Sequence, residues 1–118
     1  IYSGKLFKDS DFALIINISE DGWFGQSIGP KQHFAHSIFR AVESGKYLIR
    51  SSNNGIAAII NPLGKIEKII NFGQSGYVDL EGSKSIQPTT FSKFGNKIFL
   101  ILILLYIFLI FSFNKFKK

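Results

Sequence analysis

Hydrophobic and polar positions change their period several times along the chain. Asp11-Phe12-Ala13-Leu14-Ile15-Ile16-Asn17-Ile18 is an almost unbroken apolar run followed by polar residues and glycine. So short a run, without alternation, predicts an interior strand covered on both faces. Gly22, Gly25, Gly29 and Pro30 then predict an irregular loop. From 31 to 44 the apolar residues Phe34, Ile38, Ala41 and Val42 fall at i, i+4, i+7 and i+8. That spacing predicts a helix with one face on a sheet, and Gly45 stands where a C-terminal cap belongs. Residues 47–51 and 55–60 predict strands, and Asn61-Pro62-Leu63-Gly64 predicts a turn into a further strand at 65–70, making a hairpin. Residues 76–80 predict one more short strand, followed by a polar stretch to Thr90.

The last pattern differs from all the others. Residues 98–113 carry no charge, and at 1.5 Å per residue they reach roughly 24 Å as a helix. This predicts one transmembrane helix, slightly short of a full hydrocarbon core. Lys97 and Asn114 reach outward from its ends, and local bilayer thinning covers the remainder. A buried helix of this kind would need apolar partners on every side, which the preceding residues cannot supply. Its place in the chain excludes an N-terminal signal peptide.

With the helix and tail set aside, about 95 of the 118 residues remain, enough for one small domain. Strand, loop, helix and then several strands predict an α/β layer with an incomplete set of elements. The first residue is Ile1, and the first strand needs neighbours, so the chain is expected to be the C-terminal part of something longer. Half a sandwich exposes the sheet face that its other half should cover, and such a chain is not expected to fold well alone. The expected division is a domain at 1–82, a connector at 83–97, the membrane helix at 98–113 and a tail at 114–118.

The net charge of +6 does not form a nucleic-acid patch, because Lys and Arg are scattered and no nucleic-acid motif accompanies them. Lys93 and Lys97 precede the apolar helix, and Lys115, Lys117 and Lys118 follow it. The excess after the helix predicts a cytoplasmic C-terminus, and the flanking lysines suit anionic headgroups. There is no cysteine, hence no disulfide, thiolate metal site or thiol nucleophile. His33 and His36 lie three apart on the predicted helix without further ligands around them, so no metal is expected. No cofactor is expected either: no phosphate-cradling glycine loop is present.

Candidate binding residues cluster after the first strand. Trp23, the only tryptophan, stands beside Phe24 and Gly25 in a glycine-flanked loop at a strand end, where α/β folds place their ligand crevice. Such a pair either lines an acyl-chain pocket or meets the membrane interface, or else it only seals the sheet edge, and composition favours sealing. Asp21 is expected to hold the loop by accepting backbone N–H bonds. Arg40 and Glu43 are placed to pair on the helix. Arg50 either pairs with a carboxylate across the missing half or points to solvent. Asn53 and Asn54, before Gly55, either orient substrate carbonyls or serve a turn.

The run Ser19-Glu20-Asp21-Gly22-Trp23-Phe24-Gly25, continued by Ser27-Ile28-Gly29-Pro30 and Gln32-His33-Phe34, closely resembles the C-terminal part of the bacterial apolipoprotein N-acyltransferases. Arg40-Ala41-Val42-Glu43, Arg50-Ser51-Ser52-Asn53-Asn54-Gly55 and Pro88-Thr89-Thr90-Phe91-Ser92-Lys93-Phe94-Gly95 follow in the same order. Colinear matches over nearly the whole chain are much harder to obtain by chance than one short motif. Glu20 stands where the family often has asparagine, which removes an amide from that position.

The resemblance implies the C-terminal part of a nitrilase-like αββα sandwich, held at the bacterial inner membrane with its domain periplasmic. It implies transfer of a fatty acyl chain from a phospholipid donor to the α-amino group of a diacylglyceryl-cysteine on a lipoprotein acceptor, through a cysteine thioester. The family's catalytic glutamate, lysine and cysteine match no position here. By the resemblance they fall before Ile1, on the missing N-terminal part of the same enzyme, and Glu20, Glu43, Glu67 and Glu81 do not replace the glutamate. The chain alone is therefore expected to be inactive and to contribute substrate-binding wall: Trp23, Phe24, Gly25, Asn53 and Asn54. Two rival readings remain: a non-catalytic single-span protein whose domain pairs with a partner's sheet edge, and an amidase of the wider nitrilase group fused to a membrane anchor.

Overall fold

The computed structural model describes residues 12–116, with side chains described as far as Phe113. The expected domain's first eleven residues, Asp11 among them, lie outside the described residues, as do Lys117 and Lys118 of the expected tail.

Four strands form one sheet in the order β1 (Leu14–Glu20), β2 (Tyr47–Asn53), β3 (Ala57–Ile60) and β4 (Ile66–Ile70). β1 runs parallel to β2, with Asn17 opposite Arg50 and Ser19 opposite Ser52. The other two pairs are antiparallel. A parallel pair needs a crossover, and α1 (Gly29–Ser44) provides it. α1 starts two residues earlier than its apolar spacing suggests, because Pro30 in the first turn needs no N–H donor. It ends at Gly45, whose φ of 66° allows its N–H to bond back to Ala41 and Val42.

The core lies between α1 and one sheet face. Phe34 and Ala41 of α1 meet Leu48, Ala58 and Ile60, with Ile15, Ile38 and Ile56 packed against them. The hairpin forms as predicted. Asn61 Oδ1 accepts from the N–H groups of Leu63 and Lys65, and Gly64 turns at φ 80°. A side chain on Gly64 would also meet Val42 Cγ2 at 2.9 Å, so the turn is seated on α1.

The opposite sheet face is open, as expected of half a sandwich, so the first strand lacks the cover on both faces that its apolar run predicts. β1 is an edge strand among the described residues, and Ile16 and Ile18 are 66% and 81% exposed. An apolar run requires a cover, but the run itself does not say which residues supply it. The strand predicted at 76–80 is also absent. That segment pairs with no neighbour in a ladder, and its described tie is Lys68 Nζ donating to the Asp79 carbonyl at 2.7 Å. Further on, the Ile86 N–H bonds to Gly45 O and the Thr89 N–H to Glu43 O, fastening this stretch to the end of α1.

A second compact unit begins at Thr90 and holds α2 (Thr90–Phe94) and α3 (Lys97–Phe116). The apolar segment is helical, as predicted. The span itself is not reached: among the described residues no helix is long and apolar enough to cross a membrane.

Candidate functional site

β1 ends at Glu20, and the chain turns at once through a 3-10 turn, Gly22–Phe24, before α1. Glu20 closes that turn: its Oε1 accepts from the Gly22 N–H and its Oε2 from Asn53 Nδ2, both at 2.6 Å. A carboxylate in place of an amide thus ties the aromatic loop to the end of β2.

Behind the loop lies a polar cluster that only part of the sequence reading anticipated. Asp21 and Arg50 are both fully buried, and Arg50 Nη2 donates to Asp21 Oδ2 at 2.7 Å. Arg50 Nη1 donates to Asn17 Oδ1 at 2.5 Å and to Ser37 Oγ at 3.0 Å, and Nε donates to the Ile56 carbonyl at 3.1 Å. Neither expected alternative holds: Arg50 does not point to solvent, and its carboxylate is Asp21 of this same layer and not one across a missing half, because a buried guanidinium needs an acceptor close by. Asp21 uses its side chain differently from expectation, accepting from two side chains and not from backbone N–H groups. Its Oδ1 accepts a hydrogen bond from the Nδ1–H of His33 at 2.7 Å. With that proton committed, Arg50 Nη2 at 3.3 Å from the same nitrogen is a contact and not a second donation.

Burial pushes the Asp21 carboxyl up, but hydrogen bonds from His33 and Arg50, the nearby Ser52 hydroxyl and the Arg50 charge outweigh it and leave the pKa below the ordinary value. Ser52 Oγ lies beside the carboxylate without closing a hydrogen bond of ordinary geometry. A depressed carboxyl stabilises the fold above its unfolded pKa of about 3.9 and loses that contribution as pH falls through the lower folded value. Thermal unfolding between pH 6 and 2 is expected to show a drop below about pH 4 that Asp21→Asn flattens. Equal acid sensitivity in the two proteins would place the titrating group elsewhere.

Of the predicted binding residues, Gly25 lines one cleft and Asn53 and Asn54 another, while Trp23 and Phe24 line neither. Trp23 is 85% exposed, so in this structure it seals nothing. Phe24 packs edge-on against His33, centroids 5.8 Å apart, and covers Gly29, where an added Cβ would come within 2.4 Å of Phe24 Cδ1. Gly25, at φ 54°, lines a cleft of about 390 Å³ with Pro30, Lys31, Ile56 and Phe72. Asn53 and Asn54 line another of about 380 Å³ with Ser51 and Gly55. Asn54 adopts φ 52°, the left-handed turn conformation that asparagine tolerates, and the Asn53 carbonyl accepts from the Asp21 N–H at 3.0 Å. Arg40 and Glu43 pair at 2.5 Å as expected. His36 is exposed, and no metal-binding group of three or more acidic, histidine or cysteine residues occurs among the described residues.

The mixed sheet, the crossover helix on one face and the aromatic loop at the end of a parallel strand define one α/β layer. The chain belongs to the carbon–nitrogen hydrolase family, whose sequence model matches residues 8–93. Within that family it is 49% identical, over 98 residues, to the apolipoprotein N-acyltransferase of Rickettsia bellii (strain RML369-C), an overlap of 82% of this chain and 19% of that protein. The enzyme of the same name from Rickettsia prowazekii (strain Madrid E) is 50% identical over 84 residues, 70% of this chain and 17% of that protein. The one from Caulobacter vibrioides (strain ATCC 19089 / CIP 103742 / CB 15) is 35% identical over 107 residues, 89% and 20% respectively. The chain thus spans about a fifth of the length of these relatives.

Proposed function

We propose that these 118 residues form the C-terminal part of an apolipoprotein N-acyltransferase, an enzyme that moves a fatty acyl chain from a phospholipid to the amino group of a diacylglyceryl-cysteine on a lipoprotein. The observation that carries this reading is the colinear identity with enzymes of that name, which runs through the aromatic loop. The chain has no cysteine, so the thioester chemistry belongs to residues outside it. Its own contribution is binding: Trp23, Phe24 and Gly25 meet the acyl chains, and Asn53 and Asn54 face the polar part of a substrate. The open sheet face with Ile16 and Ile18 packs on a second sheet, completing the αββα sandwich. α3 lies in the bilayer, its shortness met by thinning and by Lys97 reaching outward, with the lysines after it on the cytoplasmic side and the domain on the periplasmic side.

The test is acylation of a diacylglyceryl lipopeptide by a full-length enzyme carrying this segment, with and without Trp23→Ala. Loss of one aromatic anchor is expected to raise KM for the phospholipid by roughly tenfold and to leave kcat nearly unchanged. A full-length enzyme without any acyl transfer would remove the functional reading. Unchanged kinetics in the variant would return Trp23 to a structural role.

A further inference from the structure

Trp23 has almost no packing of its own, yet a lipid-facing anchor binds well only if its direction is fixed beforehand, because ordering it on binding costs affinity. Its direction must therefore come from the base of the loop. Glu20 ties Gly22 to Asn53 on one side of that base, and three further contacts close it on the side of α1. The Phe24 N–H bonds to the Asp21 carbonyl at 3.1 Å, the Phe24 ring rests on Gly29, and His33 reaches back from the second turn of α1 to both Phe24 and Asp21. Asp21 cannot drift, since Arg50 holds its other oxygen and is itself fastened to Asn17, Ser37 and Ile56. His33 is the one side chain among these that touches both the buried cluster and the aromatic pair.

We propose that His33 is a positioning residue: its Nδ1–H hydrogen bond to Asp21, and not its ring contact with Phe24, transmits the rigidity of the Arg50 cluster to the Trp23 loop and so presets the loop for lipid. The proposal rests on the reading of that loop as lipid-facing. It separates two features of one side chain, the hydrogen-bond donor and the aromatic ring. His33→Phe keeps a ring against Phe24 and removes the donor, whereas His33→Gln keeps a donor that can reach Asp21.

These 118 residues contain a single tryptophan, so in a full-length enzyme carrying this segment, with any other tryptophan replaced by phenylalanine, time-resolved anisotropy of Trp23 reports this loop alone. In phosphatidylcholine vesicles, His33→Phe is expected to speed the local anisotropy decay by about twofold or more, and His33→Gln to stay close to the unaltered chain. Amide exchange of β2 and β3 is followed in all three. An unchanged decay in His33→Phe overturns the proposal, and so does His33→Gln as loose as His33→Phe. Loss of β2 protection in His33→Phe overturns it too, by assigning the residue to the fold as a whole. Quenching of Trp23 by brominated phosphatidylcholine in the unaltered chain judges the lipid reading separately: no quenching with a clear His33→Phe effect removes that reading and leaves the positioning role standing.

Discussion

Arg50→Met is expected to destabilise the sheet unit by about 3–5 kcal/mol, since removing one partner of a buried ion pair leaves the other charged and unpaired. The substitution keeps most of the side chain's volume, so packing contributes little to that figure. It strands Asp21 with His33 as its remaining strong donor, and it removes the donors that Asn17 Oδ1 and the Ile56 carbonyl now receive. A small domain has a total stability of about 5–15 kcal/mol, so one change of this size brings it near the unfolding threshold. Adding Asp21→Asn should restore part of the loss, because the charge that makes the orphaned site so costly is then gone. Urea unfolding of the two single variants and the double variant measures this coupling directly. Strictly additive losses would mean that Arg50 and Asp21 do not act as a pair.

That pair also marks where sequence reading stops. Gly45 as a cap and Asn61 to Gly64 as a hairpin turn were legible because each depends on a few neighbouring residues and a positive φ. The aromatic loop was legible as a place, through its glycines and its position after a strand. Arg50 and Asp21 lie twenty-nine residues apart and meet only because β1 and β2 pair in parallel with Asn17 opposite Arg50. No local pattern encodes that register. One clue was available: Leu48 and Arg50 share a strand face, so an arginine there follows a core leucine and needs a buried acceptor. The open face of β1 was legible as a missing layer, but hydrophobicity at Ile16 and Ile18 specifies burial without specifying which residues provide it. The strand expected at 76–80 has suitable residues, yet it finds no ladder to join, and its backbone turns to Lys68 instead.

Gly55→Ala should be far more damaging than its one methyl group suggests. Gly55 is buried, and a Cβ there would sit 2.1 Å from Asp21 Oδ2 and 2.2 Å from Ser52 Oγ. The Ser52 hydroxyl has no closed hydrogen bond to break, but Asp21 is held from one side by His33 and from the other by Arg50. Relief therefore requires moving the carboxylate, which stretches the buried ion pair. Overpacking alone costs about 1–3 kcal/mol, and strain on the pair places Gly55→Ala at the upper end of that range or beyond it. The cause can be isolated with Asp21→Ala, which removes the atoms that the new methyl would strike. In that background Gly55→Ala should cost much less, so the double variant is expected to be little worse than Asp21→Ala alone. If Gly55→Ala is equally harmful with and without Asp21, the glycine is required for its backbone and not for the space that it leaves to the carboxylate.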